Sequence, residues 1–495
     1  MSAPSGWVHE VLAQGPERIG LQALVLVWIG SMIAAAPRRW TPWALALLAL
    51  IVRLAFATPG ALMGRAYPYQ HFMGYVGRIK SIPLYGQGWF ATMDWMRPVF
   101  GSDPSGLNRA NLVFSVLTVV WLWDVVRRLT RDARAANAAA FLLACLPLAV
   151  SLSRLEVHFV LCALLEITAV VGVVRHDRLG AALTVASAVV LAHARPFEIL
   201  FATTAALALA WRWRVPGAAA LAGIAVRVAE IGVPNGHDGF PNAAPDAWAP
   251  STLARQIFGP DSSVALFNAH VHPAWLFPAA VVGFGLAWRR GEQSAVGVFV
   301  AAALLTTVPY AHMFFPTDVL RFQLPAATWW CALAGLTAPW IASRGVVVRG
   351  VVIAMWIGGL WTASAPLQGL LTVSEFRFLG EALPALPAGA TLRYDPVWDE
   401  NGLFTAWAER VAPIHAVPLD GVAPQVGELV YVGVGARVID RPPGRPAPVG
   451  PACAGEVLRE QTVGSFSGGL YELTTPEAPV RLAIERVVAC PAGTP

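Results

Sequence analysis

The chain has 495 residues, 56% of them hydrophobic and 13% charged, against roughly 45–50% and 25% in soluble globular proteins. That imbalance excludes an ordinary soluble domain and points to lipid as the solvent. The net charge of +5, carried almost wholly by arginine because Lys80 is the one lysine, invites a polyanion-binding reading. The arginines sit at the ends of apolar runs, however, where membrane topology uses them, so no nucleic-acid partner is expected.

The first twenty residues are mixed and lack a basic start, an apolar run and a cleavage site in that order. The first apolar run therefore reads as a retained span, not a secretory signal. A spanning helix needs about twenty apolar residues, and twelve runs approach that length, near 20–36, 41–57, 109–126, 136–152, 157–174, 179–193, 197–211, 216–232, 273–288, 294–310, 322–342 and 346–363. Arginine fills every second connection: Arg38 and Arg39; Arg127, Arg128, Arg131 and Arg134; Arg175 and Arg178; Arg212 and Arg214; Arg289 and Arg290; Arg344 and Arg349. Cytoplasmic loops keep such an excess. Segment 58–108, the turns near 153 and 194, segment 233–272, turn 311–321 and the tail are then expected outside.

Within 58–108, YPYQHFMGYVGRI and GQGWFATMDWM alternate aromatic and polar residues at roughly helical spacing, which predicts helices lying in the membrane interface. From residue 364 the apolar runs stop. Short strand-like pieces, TLRYDP, ELVYVGVG and GGLYELTT, and one helix-like stretch, DENGLFTAWAERV, follow in a Pro- and Gly-rich background. The expected architecture is mainly α: a polytopic helical bundle over residues 1–363 and a small extracytoplasmic α/β domain over 364–495. Cys145, Cys162 and Cys331 lie in apolar runs and read as core residues. Cys453 and Cys490 lie in the tail, where an oxidising compartment would allow them to pair.

Ionisable residues at membrane depth are expensive, and three outward turns carry them together. SRLEVHF brings Arg154, Glu156 and His158; AHARPFE brings His193, Arg195 and Glu198; AHMFFPTDVLRF brings His312, Asp318 and Arg321. Each turn taken alone reads well as a solvated helix cap. The repetition of His, carboxylate and Arg on one side favours a site for an anionic headgroup, because the planar guanidinium pairs bidentately with phosphate. Arg53, Glu166 and Arg227 lie in or near spans and read more readily as internal pairs or helix-end snorkels. No P-loop, dinucleotide fingerprint, zinc-protease motif, CxxC pair or nucleophile elbow occurs in a fitting context.

The arrangement resembles the GT-C class of integral-membrane glycosyltransferases, which includes the protein mannosyltransferases and the bacterial aminoarabinose transferase. The resemblance rests on an early span ending in Arg, LLALIVRLAF; the long outward loop 58–108 with its exit FGSDPSGLNRANLVFSVL; the late DVLRFQLPAATWWCALAGL; and a tail containing FSGGLYEL. It implies transfer of a sugar from a polyprenyl-phosphate donor to a lipid, glycan or protein acceptor, at the outer face of a bacterial inner membrane. Arg154, Arg195 and Arg321 would hold the donor phosphate, with His158, His193, Glu198, His312, Asp318, Tyr67 and Gln70 around it. One departure stands out. The class carries an Asp early in the first outward loop, as base or metal ligand, whereas this chain has GRAYPYQHFMGY there. Either His71 takes the base role, or Glu156, Asp94 or Asp103 supplies it, or the standard activity is lost. No cofactor follows firmly from the sequence; a divalent metal is implied only through that missing acidic motif, and no metal ligand is assigned. A transporter or flippase for a lipid-linked or anionic solute, and an inactive scaffold, are the alternative readings.

Overall fold

In the computed structural model, residues 16–57, 75, 86–101, 105–155, 157–231, 249–251, 254, 272–311, 323–371, 375–394, 405, 408–409, 411–419, 423–432, 453–463 and 480–490 are described. The chain is mainly helical with a small C-terminal sheet. Its helices are α1 (Pro16–Ala35), α2 (Trp40–Phe56), α3 (Gln87–Phe100), α4 (Ser105–Thr130), α5 (Ala133–Cys145), α6 (Pro147–Leu152), α7 (Phe159–Arg175) and α8 (Arg178–Ala194). A 3-10 turn (Pro196–Glu198) leads to α9 (Ile199–Arg212), α10 (Arg214–Ile231), α11 (Leu276–Arg289), α12 (Gln293–Ala311), α13 (Gln323–Gly335), α14 (Ala338–Ala342), α15 (Val346–Leu371) and α16 (Glu375–Ala382).

Two of the arginine-rich connections end and restart helices by one shared device. Arg131 (φ 58°) and His176 (φ 61°) adopt the left-handed conformation that stops a helix. The next residue is an aspartate that caps the following one: Asp132 accepts from the Arg134 N–H at 2.7 Å and Asp177 from the Gly180 N–H at 2.6 Å. The Arg175 hydrogen bond, outweighing partial burial and helped by Gly180 N–H, holds the Asp177 carboxyl below its ordinary pKa.

Burial sorts the helices. α7 is enclosed from Phe159 through Ala169 and α8 from Thr184 to Ala194 with one intermediate position, Val185, and α1, α4, α10 and α13 pack around them. The outer helices keep apolar side chains uncovered, including Ile51 on α2, Val282 on α11 and Val346, Ile357 and Trp361 on α15. Among the described residues, the stretch Arg18–Ala35 is the one that is both long and apolar enough to cross a bilayer by length and composition alone. α2, α5, α8, α11 and parts of α12 and α15 are shorter apolar helices. Seventeen residues, the length of α8, rise only about 26 Å at 1.5 Å each, which leaves such a helix just short of a typical hydrocarbon core of about 30 Å.

Three expectations need correction. The run 322–342 divides into α13 and α14 at a turn over 336–337. The run 136–152 is not one helix: it breaks at Leu146, because Pro147 has no N–H to continue the ladder. The opened end is closed by Arg53, whose Nη1 donates to the Ala144 carbonyl at 2.9 Å and whose Nε donates to Ser115 Oγ at 2.8 Å. Likewise GQGWFATMDWM forms α3 as expected, but Gly88 through Asp94 are all buried. Its glycines allow this, since a Cβ on Gly86 or Gly88 would collide with the last-turn backbone of α8. Over Gly88–Asp94 α3 is therefore packed into the bundle on all sides, unlike an interfacial helix with one open face, and only its end at Pro98 and Val99 is exposed. YPYQHFMGYVGRI lies outside the described residues apart from Tyr75.

The tail holds a five-stranded sheet in the order β2-β1-β3-β5-β4, from β1 (Thr391–Tyr394), β2 (His415–Pro418), β3 (Leu429–Val432), β4 (Ala454–Val463) and β5 (Val480–Ala489). β1 runs parallel to β2 and β3, while β5 is antiparallel to β3 and β4. TLRYDP and ELVYVGVG supply β1 and β3; GGLYELTT and most of DENGLFTAWAERV lie outside the described residues. Cys453 and Cys490 form a disulfide that joins the start of β4 to the end of β5. Cys145, Cys162 and Cys331 are free thiols, the latter two buried.

Candidate functional site

The turn at SRLEVHF is fixed by a residue that sequence reading missed. Asn111, in the apolar run of α4, donates from Nδ2 to the Leu155 carbonyl at 2.6 Å and the Val157 carbonyl at 2.9 Å. This staples both sides of the turn to the bundle and aims its polar side chains. Arg154 is half-buried and donates to the Ala57 carbonyl at the end of α2 at 3.0 Å. Burial lowers the Arg154 pKa from its ordinary value.

His158 stands just before α7 and meets Arg195 from the second turn: Arg195 Nη1 contacts His158 Nε2 directly. Both are buried. The guanidinium also lies over the Phe159 ring, 4.3 Å from its centroid, and 5.1 Å from that of Phe197, an arrangement favoured by the ring quadrupole. Two of the three predicted turns are thus brought into contact through one buried arginine. Extended backbone at Arg195 (φ −154°, ψ 134°) ends α8, and Pro196 starts the 3-10 turn that returns Glu198 into the bundle. His193, one turn earlier, points Nε2 at the Gly223 carbonyl on α10 at 2.9 Å. It faces a different partner from Arg195.

Beneath this pair, Glu198 and Glu166 of α7 bring their carboxyls side by side, both fully buried. The Trp329 Nε1–H of α13 donates to Glu166 Oε2 at 2.9 Å. Glu166, read from sequence as an internal pair or a helix-end snorkel, is therefore part of the cluster that contains Arg195, His158 and Glu198. The third turn's His312, Asp318 and Arg321 lie outside the described residues, as do Tyr67, Gln70, His71, Asp103 and Glu156. Just beyond that turn, Gln323 at the start of α13 pairs with His272 at 2.5 Å. His272 carried no sequence signal beyond an isolated His-Pro step.

Asp94 is placed differently from what a base requires. Arg18 donates to its Oδ2 from Nε at 2.9 Å and from Nη2 at 2.7 Å, Gln22 donates to the same oxygen at 2.7 Å, and Arg97 donates to Oδ1 at 2.9 Å. Both oxygens are engaged by cations in a buried setting, which suits a structural ion pair better than proton abstraction. The same engagement makes Asp94 a poor metal ligand, and no group of three His, Cys, Asp or Glu that could hold a metal ion occurs among the described residues.

No protein-family model matches the chain, and no curated protein sequence matches it. Solved structures do. ArnT from Cupriavidus metallidurans bound to undecaprenyl phosphate aligns with 90% of this chain and 98% of its own length at TM-score 0.52 and 13% identity. The apo state of ArnT covers 89% of this chain and 97% of its own length at TM-score 0.49 and 12% identity. The Archaeoglobus fulgidus oligosaccharyltransferase tethered with an acceptor peptide covers 77% of this chain at TM-score 0.47 and 9% identity. This chain spans 64% of that oligosaccharyltransferase's length. At these identities the likeness is one of fold, and over nearly the whole chain that fold is the GT-C fold of ArnT.

Proposed function

We propose that the chain is a membrane glycosyltransferase that takes a sugar from a polyprenyl-phosphate donor and passes it to a lipid, glycan or protein acceptor at the outer face of a bacterial inner membrane. The observation that carries this reading is Arg195, buried between His158, Phe159 and Phe197 on the fold shared with an undecaprenyl-phosphate-binding protein. A buried guanidinium is suited to the charge that develops on a departing phosphate, because a water-poor setting strengthens the interaction. Arg154 and Arg321 would complete the donor clamp, and the acceptor hydroxyl would be the nucleophile. His71 and Glu156 remain the bases proposed, with Asp94 reassigned to holding α1 against α3. The uncovered apolar faces of α2, α11 and α15 favour lipid around the bundle, and twelve spans with an extracytoplasmic tail follow from the alternating arginines.

The test is transfer itself. Native membranes containing the chain are incubated with radiolabelled polyprenyl-phosphate sugars, and label is followed into lipid, glycan and protein fractions. Chain-dependent transfer supports the proposal. Label that moves across vesicle membranes without a new glycosidic bond would favour the transporter reading.

A further inference from the structure

At the opposite, arginine-rich end of the bundle, α2 and α5 pack against each other and leave a groove of about 460 Å³. Its walls are mostly apolar, with Trp40, Ala44 and Leu48 from α2 facing Ala138 and Phe141 from α5, and Thr41 and Asn137 as the polar members. The i, i+4 spacing on α2 and the i, i+3 spacing on α5 line these residues into stripes, and from Trp40 to Leu48 the groove runs about 12 Å along the axis. Trp40 is 77% exposed at its mouth. The neighbouring Trp43 anchors the start of α2 by donating from Nε1 to the Pro37 carbonyl at 2.9 Å.

Charge collects at that mouth. Arg38 and Arg39 immediately precede Trp40, Arg134 lies one turn before Ala138 on the same face of α5, and Arg131 sits in the left-handed turn before it. All four are exposed. Among the described residues none of them is ion-paired, and the adjacent carboxylate, Asp132, is committed to the N–H groups of Arg134 and Ala135. A mostly apolar groove beneath several guanidiniums matches one chemistry, a lipid with an anionic phosphate headgroup.

We propose that this groove is a binding site for an anionic phospholipid of the surrounding leaflet. One acyl chain lies along Ala44, Leu48 and Phe141, and its phosphate is held by Arg38, Arg39 and Arg134. The site lies apart from the Arg195 cluster and takes a lipid that is not consumed. It rests on the membrane reading above but on neither donor nor acceptor.

The full chain, purified in a mild detergent, is exchanged into mixed micelles carrying equal phosphatidylglycerol and phosphatidylcholine, and retained lipid is counted by native mass spectrometry. Wild type should keep phosphatidylglycerol at least tenfold over phosphatidylcholine. Arg38→Gln/Arg39→Gln/Arg134→Gln, changes at exposed positions that leave the packing untouched, should abolish that preference, since each basic group near an anionic surface contributes on the order of a fivefold factor and three together exceed tenfold. Ala44→Phe, which fills the slot, should reduce retention of both lipids, and Ala138→Leu provides the same test from the other wall. A wild-type protein without preference, or a triple variant that keeps it, overturns the site. Either result leaves the membrane reading standing, whereas a chain that stays in solution without detergent would overturn that reading instead.

Discussion

Arg18 and Asp94, separated by 76 residues, are joined by two hydrogen bonds from one guanidinium to one carboxylate oxygen, at 2.9 and 2.7 Å. This pairing ties the first helix of the bundle to α3, and Arg97 neutralises the other oxygen. Removing one partner of a buried ion pair costs about 3–5 kcal/mol, because the remaining charges lose compensation in a dry interior. Asp94→Asn should therefore lower the thermal midpoint in detergent markedly, with any loss of turnover tracking the loss of folded protein. An Asp94→Asn variant that keeps its midpoint yet is dead would return Asp94 to the list of bases.

In the tail, Arg393 grips Glu428 with two bonds of 3.0 Å between neighbouring strands. Burial alone would raise the Glu428 pKa, but the hydrogen bonds from Arg393 and the Gln425 N–H, with the Arg393 charge, bring it below the ordinary 4.5. A carboxyl whose pKa is depressed on folding contributes stability that is present above 4.5 and is lost as pH falls through the lower folded value. Calorimetry of the full chain should show the tail transition weakening in that acid window. Glu428→Gln should be less stable near neutrality and flatter with acid, and an unchanged acid slope in the variant would refute the assignment.

The bridge between Cys453 and Cys490 closes a loop with a sequence separation of 37. A cross-link of that span stabilises by about 4 kcal/mol if chain entropy in the unfolded state dominates. Alkylation of extracted protein should label these two cysteines only after reduction. Cys453→Ser/Cys490→Ser should make the tail more susceptible to protease. Two thiols that alkylate without reductant, in protein from an oxidising compartment, would contradict the structure here.

Much of the helical pattern is legible in the sequence, and the reasons are local. The run read as 157–174 lies between two polar turns, so the ends of α7, found at Phe159–Arg175, fall within two residues. The break at Pro147 is hidden by the continuous apolarity around it. β4 and β5 were missed because GEVLREQTV and VRLAIERVVA mix charges into alternation too irregular to stand out from loop. The site was legible as two turns, not as one cluster. Nothing within SRLEVHF announces Arg195, and the Trp329–Glu166 bond spans 163 residues. Asp94 looked available only because its partner Arg18 lies in a segment whose mixed composition gave no sign of packing against it.

Orientation has its own check. Reporter fusions after Arg134, Arg178 and Arg290 should report cytoplasm, and fusions within 233–272 and after Pro366 should report the outside, as the alternating arginines require. A cytoplasmic signal from the tail would reverse the bundle and move the Arg195 cluster to the inner face.

The most direct measurement is sugar transfer from a radiolabelled polyprenyl-phosphate donor in native membranes bearing Arg195→Lys or Arg195→Ala. Lysine preserves charge but not the planar fork that meets phosphate and lies over Phe159. Loss of one charge-assisted contact worth about 1.5–3 kcal/mol predicts at least a tenfold drop in turnover for both variants, with insertion and folding retained. Full turnover with lysine would contradict the account, because Arg195 would then be a packed helix cap and the phosphate would be held elsewhere.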